Sequence, residues 1–243
     1  MASVVNDAFP SDLQGWWNTQ GEWVEEPNER RSGSSGVQRL NLHGQTLYAK
    51  RQVGHIYRSL RYPLGRPTVL RERDALLSAA RAGVNVAQIV FCAAEQNPEG
   101  WRAILVTKAL DGFVTIDQWY AEGQRQRYGE AFHSSVLEQI ANTLALLHRS
   151  RRQHNCLYAK HIFIRVDEQG AAPRAVIALL DLEKSRLRLS VKQAAMHDML
   201  QLRRHSAWST EEWQSLISAY QIAMQRSFPE LFNAERKRDY RPQ

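Results

Sequence analysis

The amino-acid sequence predicts an α+β chain in two lobes. Residues 1–110 make a small, mostly antiparallel sheet with one helix, and residues 111–243 a mainly helical lobe. Four apolar runs of strand length, with one helical pattern among them, occupy the first half. At Asp111-Gly112 the texture changes, and apolar residues then recur mainly at helical spacing. The length of 243 residues suits one large domain or two small lobes, and it can bury a core without disulfide or metal.

The first forty residues are polar and punctuated by Gly15, Gly21, Pro27, Gly33 and Gly36, with Trp16, Trp17 and Trp23 as apolar anchors. This stretch reads as ordered chain packed on a domain. Strands are expected at 37–40, 46–52, 86–94 and 102–107. A helix is expected between the second and third, with Thr68 as N-cap after Pro67, Leu70, Leu77 and Ala80 near helical spacing, and Gly83 as the residue past its end. The first half therefore reads β-β-α-β-β. In the second half Val136, Ile140, Leu144 and Leu147 form one apolar stripe. Strand-like runs follow at 162–166 and 174–180. Ser209 and Glu212 then make a capping box ahead of Trp213, Leu216, Ile217, Tyr220 and Met224. The charged tail, 235–243, is expected to fray.

Composition removes several classes. Hydrophobic residues are 43% and charged residues 23% of the chain, which is globular rather than disordered. Lys and Arg number 32 against 25 Asp and Glu, a net charge of +7. This biases the chain toward anionic partners: nucleic acid, anionic lipid, phosphosugar or nucleotide. Cys92 and Cys156 are the only cysteines, so there is no disulfide framework and no four-thiolate zinc site, and reduced thiols suit the cytoplasm. Residues 1–10 lack the basic start of a signal peptide and carry Asp7. The apolar runs are too short to cross a bilayer.

A sheet-plus-helix lobe followed by a helical lobe invites comparison with the signature set of the protein kinases. The stretch 31–36, Arg-Ser-Gly-Ser-Ser-Gly, keeps two of the three glycines of a phosphate loop, Gly33 and Gly36, with Arg31 where the first would stand. The same cluster also reads as a simple turn. Lys50, in Leu47-Tyr48-Ala49-Lys50, either reaches nucleotide phosphates or faces water. Glu72 either holds Lys50 or pairs with Arg71 or Arg73. The run His154-Asn155-Cys156-Leu157-Tyr158-Ala159-Lys160-His161-Ile162 follows an amphipathic helix, leads into a strand and fits the catalytic-loop frame. Asp181 closes a second strand, as a metal-holding aspartate does. Order, spacing and element type agree across these landmarks.

On these residues the chain resembles the Kdo/WaaP lipopolysaccharide kinase family, and within it the InaA branch. The resembling stretches are GEWVEEPNERRSGSSGVQ (21–38), RYPLGRPTVLR (61–71), Trp119-Tyr120, QHNCLYAKHIFI (153–164) and LDLEKSR (180–186), within a likeness that runs from about residue 12 to 220. The resemblance implies a protein-kinase-like bilobal fold, ATP and Mg2+ as cofactors, and a bacterial cytoplasmic setting, with a peripheral place at the inner face of the inner membrane as an alternative that the basic segment 50–73 leaves open. Active relatives phosphorylate heptose or Kdo sugars of the lipopolysaccharide core. The InaA branch is associated with weak-acid and envelope stress. By position, Lys50 corresponds to the ATP lysine and Glu72 to its partner. Asp181 corresponds to the metal aspartate, Asp198 to an aspartate that braces the catalytic loop, and His154 to that loop's structural histidine.

The sequence departs from the pattern in two places. Cys156 stands where the catalytic Asp belongs, and a thiol is mostly protonated at neutral pH and accepts a proton weakly. Its presence predicts a degraded catalytic loop that costs about 10²–10⁴-fold in rate. The alternative is an active core-sugar kinase using another base or none. His161 stands where the second metal ligand, usually Asn, is expected. Active sugar kinases of the family also tend to have His there, although imidazole suits Mg2+ poorly. Glu183 would share a face with Asp181 on an extended chain and help hold a metal, or it pairs with Lys184 or Arg186. His154, Cys156 and His161 also read as a zinc constellation lacking a fourth ligand.

The gap between Asp181 and Asp198 leaves little room for a peptide platform. This favours a small molecule or glycolipid as substrate, or none. Between 50 and 73 lie Lys50, Arg51, Arg58, Arg61, Arg66, Arg71 and Arg73 against Glu72 alone, interleaved with Tyr57, Leu60, Tyr62 and Leu64. This segment would dock a phosphorylated glycolipid or an anionic membrane, or it is a solvated basic loop. No nucleic-acid motif accompanies the charge, so a nucleic-acid partner is not expected.

Overall fold

A computed structural model describes residues 9–30, 33–98 and 100–235. Arg31 and Ser32 of the expected phosphate loop, the segment 1–8 and the tail 236–243 lie outside the described residues. The chain divides into two units, Met1–Leu76 with Ala87–Leu110 and Leu77–Val86 with Asp111–Gln243.

The first unit contains α1 (Leu13–Asn18), β1 (Glu22–Arg30), β2 (Gly33–Leu42), β3 (Gln45–Val53), β4 (Ile56–Ser59), β5 (Tyr62–Pro67), the start of α2 (Thr68–Arg81), β6 (Ile89–Asn97) and β7 (Gly100–Lys108). Five strands form an antiparallel sheet in the order β1-β2-β3-β7-β6, and β4 and β5 make a separate hairpin. Successive residues of a strand face opposite sides, and β3 shows the consequence. Leu47 and Ala49 enter a core with Leu13, Trp16, Leu40, Ile104 and Val106. Arg51 follows them inward and donates to the Gln38 side chain and to the carbonyls of Trp16 and Thr19. Lys50 and Gln52 point the other way, toward α2.

Helix α1, the edge strand β1 and the β4–β5 hairpin are additions to the β-β-α-β-β expectation. Residues 22–30 form the edge strand β1, although Pro27 and four glutamates break any alternating pattern. An edge tolerates both features, and the register shifts on either side of Glu25 absorb the proline. The β4–β5 hairpin lies between β3 and α2.

Thr68 is also not the N-cap: it is the first helical residue. Its hydroxyl donates to Gln52 Oε1 at 2.7 Å, and the same oxygen accepts the Val69 N–H at 3.1 Å. A side chain of β3 thus does the work of the cap. At the other end Gly83, at φ +85°, closes α2 as expected, with Gly83 N–H on Ala80 O and Val84 N–H on Ala79 O.

The second unit contains β8 (Val114–Thr115), α3 (Ile116–Ala121), α4 (Gln124–Arg149), β9 (Arg152–Gln153), a 3-10 turn at Ala159–His161, β10 (Ile162–Asp167), β11 (Arg174–Leu179), β12 (Arg186–Leu187), α5 (Val191–Arg204), α6 (Thr210–Met224) and α7 (Pro229–Phe232). The stripe Val136, Ile140, Leu144 and Leu147 is fully buried, as are Trp213, Leu216, Ile217 and Tyr220 of α6. The capping box at Ser209 and Glu212 is formed. Sequence places all of 1–110 in one lobe, yet Leu77–Val86 groups with the second unit. There the Asn85 amide donates to Ile177 O and Asn85 O accepts the Leu179 N–H, both at 3.0 Å. No helix among the described residues is long and apolar enough to cross a membrane.

Candidate functional site

In the first unit Lys50 Nζ lies 2.9 Å from Glu72 Oε2, and both side chains are mostly buried. The local fold fixes this pairing. Gln52 clamps the first turn of α2, and Lys50 sits two residues before Gln52. Two residues along a strand advance about 6.6 Å, and four along a helix about 6 Å. The helical residue opposite Lys50 is therefore four positions past Thr68, which is Glu72. Arg73 pairs instead with Asp74 at 2.7 Å.

The expected glycine loop is mostly strand. Arg30 pairs with Gly33, and Ser34, Ser35 and Gly36 pair with β3. A Cβ on Gly33 would lie 2.7 Å from Val53 O, and one on Gly36 2.7 Å from the Trp23 ring. Both glycines thus have a packing reason. Val37, next to Gly36, is the register partner of Lys50.

The basic segment 50–73 is less basic than its sequence. Lys50 is paired and Arg51 buried, while Arg66 meets Asp74 at 2.8 Å, with Arg73 on the same carboxylate. Arg71 lies over the Tyr57 ring. Arg58 and Arg61 remain exposed at the β4–β5 tip beside Leu60 and Leu64, which are 105% and 90% exposed.

In the second unit a buried carboxylate organises the loop after β9. Asp198, on α5, accepts the His154 N–H at 2.5 Å and the Asn155 N–H at 2.9 Å. His148 Nε2 and His197 Nδ1 each approach it at 3.2 Å. One turn along α5, Gln201 accepts the Leu157 N–H at 2.8 Å. Burial pushes the Asp198 carboxyl up, but the bonds from His148 and His197 more than reverse it and hold it below the usual carboxylate range. Burial keeps the Tyr220 hydroxyl protonated. It donates to His148 Nδ1 at 2.7 Å, which leaves Nε2 as the N–H aimed at Asp198. Sequence reading missed His148, Gln201 and Tyr220. Tyr220 lay within an apolar stripe and read as core.

His154 is buried, and its Nε2 donates to Leu180 O at 2.9 Å, tying the loop to the residue before Asp181. Burial pushes it down, so it is neutral. Its ring lies parallel to that of His161, 5.8 Å away. His161 Nδ1 is 2.7 Å from Cys156 O, and its Nε2 is 3.6 Å from Asp181 Oδ2. The donor atoms of Cys156, His161 and Asp181 all lie within 4.8 Å of one another. Burial pushes the Cys156 thiol up, which keeps it protonated.

The sequence-derived zinc set therefore changes membership, since His154 is engaged elsewhere and Asp181 takes its place. Asp181 has φ +60°, and Ser185 N–H turns back to Leu182 O. The chain is thus not extended at 181–183, and Glu183 is not among the three residues that converge. A polar cleft between the starts of α4 and α6 is a separate feature. Its Glu130 and Glu212 are neutralised by Arg125 at 2.8 and 2.6 Å.

A sheet bearing a Lys–Glu pair, together with a loop clamped by a buried aspartate ahead of a strand-end aspartate, defines a kinase-type architecture. Residues 14–220 match the model of the lipopolysaccharide kinase (Kdo/WaaP) family, and the chain belongs to that family. Within it the chain falls in the InaA branch: it is 40% identical over 214 residues to Protein InaA of Escherichia coli (strain K12), covering 88% of this chain and 96% of that protein. Among solved structures it is similar to WaaP in complex with acyl carrier protein, with a TM-score of 0.66 at 17% identity, over 92% of this chain and 90% of that one. The fold is thus the kinase-like α+β fold.

Proposed function

We propose that this chain is a nucleotide-binding member of the InaA branch whose catalytic loop no longer supports efficient phosphoryl transfer, and that it acts in the response to acid or envelope stress. The observation that carries this reading is Cys156: a mostly buried, protonated thiol stands where a kinase has the carboxylate that accepts the hydroxyl proton. Nucleotide binding is supported by Lys50, whose ammonium Glu72 holds in one place, ready for phosphate oxygens.

The family implies Mg2+ alongside ATP. Mg2+ prefers oxygen, and the converging atoms are a sulfur, a ring nitrogen and one carboxylate, so this donor set does not fit it. When bound, ATP would supply a transferable phosphoryl group. Lys50 would orient its phosphates, and Asp198 would keep the loop in position.

The intact Lys50–Glu72 pair and the Asp198 clamp favour a second reading, an active kinase for a heptose or Kdo sugar of the lipopolysaccharide core. Thermal-shift titration with ATP, combined with transfer of labelled γ-phosphate to lipopolysaccharide core, separates the two. Binding lost in Lys50→Met with no transfer supports the first. Transfer at ordinary kinase rates overturns it. Contact with an anionic membrane surface is proposed through the Leu60–Arg61 tip, and a nucleic-acid partner is not.

A further inference from the structure

We propose that Cys156, His161 and Asp181 form a binding site for a zinc-type divalent metal. Three different donor groups reach this point from three places in the chain: the clamped loop, the 3-10 turn and the end of β11. Their donor atoms lie within 4.8 Å of one another.

The tautomer of His161 is set by its neighbour. A carbonyl oxygen only accepts, so the 2.7 Å contact with Cys156 O puts a proton on Nδ1 and leaves Nε2 as the nitrogen that can bind a metal. Nε2 faces the Asp181 carboxylate at 3.6 Å. A ring nitrogen and a carboxylate oxygen facing each other are joined by a cation, either a proton on the ring or a bound metal. The separation is long for a hydrogen bond and close to the roughly 3.4 Å between tetrahedral ligands held about 2.0–2.1 Å from zinc. A histidine whose second nitrogen donates to a backbone carbonyl is the usual supporting arrangement for a metal ligand.

The donor chemistry selects the metal. Thiolate and imidazole favour zinc and its neighbours over magnesium. Binding would displace the thiol proton to solvent. A dication with one thiolate, one carboxylate and a neutral imidazole is then electrically balanced. Three protein ligands leave the fourth position for water or a ligand atom. The parallel His154 ring and the Asp198 bonds to 154 and 155 hold the ligands without metal. All three ligands lie in one unit, so the site stands whether or not nucleotide binds at Lys50.

The test uses full-length protein stripped with a chelator, without nucleotide, and titrated with Co2+. The expected result is a thiolate-to-cobalt charge-transfer band with strong visible bands of tetrahedral cobalt. Zn2+ should abolish them, and millimolar Mg2+ should leave them. Cys156→Ser should remove the charge-transfer band, while Cys92→Ser keeps it. His161→Gln and Asp181→Asn should weaken Zn2+ binding by about 10-fold or more. Should Cys156→Ser misfold by circular dichroism, Cys156→Asp gives the same readout: no charge-transfer band, and a preference moved toward Mg2+. No band in the wild type, a band surviving both Cys156 variants, or displacement by Mg2+ would overturn the proposal.

Discussion

Replacing Asp198 by Asn keeps the shape of a fully buried side chain and removes its charge. Oδ2 accepts from His154 N–H and His148 Nε2, and Oδ1 from Asn155 N–H and His197 Nδ1. An amide offers one accepting oxygen and turns an NH2 group toward the other pair of donors. Two donors are then left facing a donor, at about 1–3 kcal/mol each, so a total loss of about 2–6 kcal/mol is expected. At about 2–4 °C per kcal/mol for a chain of this length, the melting temperature should fall by roughly 4–24 °C.

The pH dependence gives a second readout. The folded carboxyl lies below its unfolded value of about 3.9, so the unfolded chain binds the proton first on acidification. The stabilisation from Asp198 is complete above about pH 5 and is lost progressively as pH falls below that. Asp198→Asn should flatten that part of the curve. Thermal melts of both proteins from pH 7 to pH 3 measure both effects. A variant that melts within 2 °C of wild type, or that loses stability equally steeply below pH 5, would refute the assignment of Asp198 as the charged clamp of the loop.

Lys50→Met and Glu72→Gln should each reduce the ATP-induced thermal shift, corresponding to about 10-fold or more in affinity. An undiminished shift in both would remove Lys50 from the nucleotide site. Cys156→Asp restores the proton acceptor and should raise γ-phosphate transfer to core sugar by about 10²–10⁴-fold. An unchanged rate, with folding and ATP binding intact, would show that Cys156 is not what limits transfer. Sedimentation with anionic vesicles should fall on Arg58→Glu with Arg61→Glu, at about 1 kcal/mol per arginine, and on Leu60→Asn with Leu64→Asn. Binding indifferent to both pairs would exclude the hairpin tip as the contact.

What the sequence made legible was what repeats or keeps order. Val136, Ile140, Leu144 and Leu147 announced α4 through their spacing. Lys50, Glu72, His154 and Asp181 stood out because their order and flanking elements matched one frame. The missed features depend on contacts distant in sequence. Gln52 closes the start of α2 from a neighbouring strand, a role no local capping pattern records. The His148–Tyr220 link spans 72 positions. The charge of 50–73 was overstated because Asp74 lies just past the segment and Arg51 turns inward, which a count of signs does not register. Asp181 was assumed extended, and its left-handed backbone removed the shared face with Glu183.

The stretch after Asp181 is short, and its backbone is tied down at several points. Residues 186–187 pair with 152–153, Ser185 Oγ donates to Gln153 O, and Ser190 caps α5. Many relatives of the kinase fold are switched by adding phosphate to a hydroxyl in a longer segment here, which then moves from one ordered position to another. In this chain both hydroxyls of that segment, Ser185 and Ser190, already hold backbone groups in place. Adding phosphate to either serine would therefore break a bond that holds the loop, rather than create a new one. The stretch that other kinase-fold proteins use as a movable segment serves here as a strap across the base of the loop.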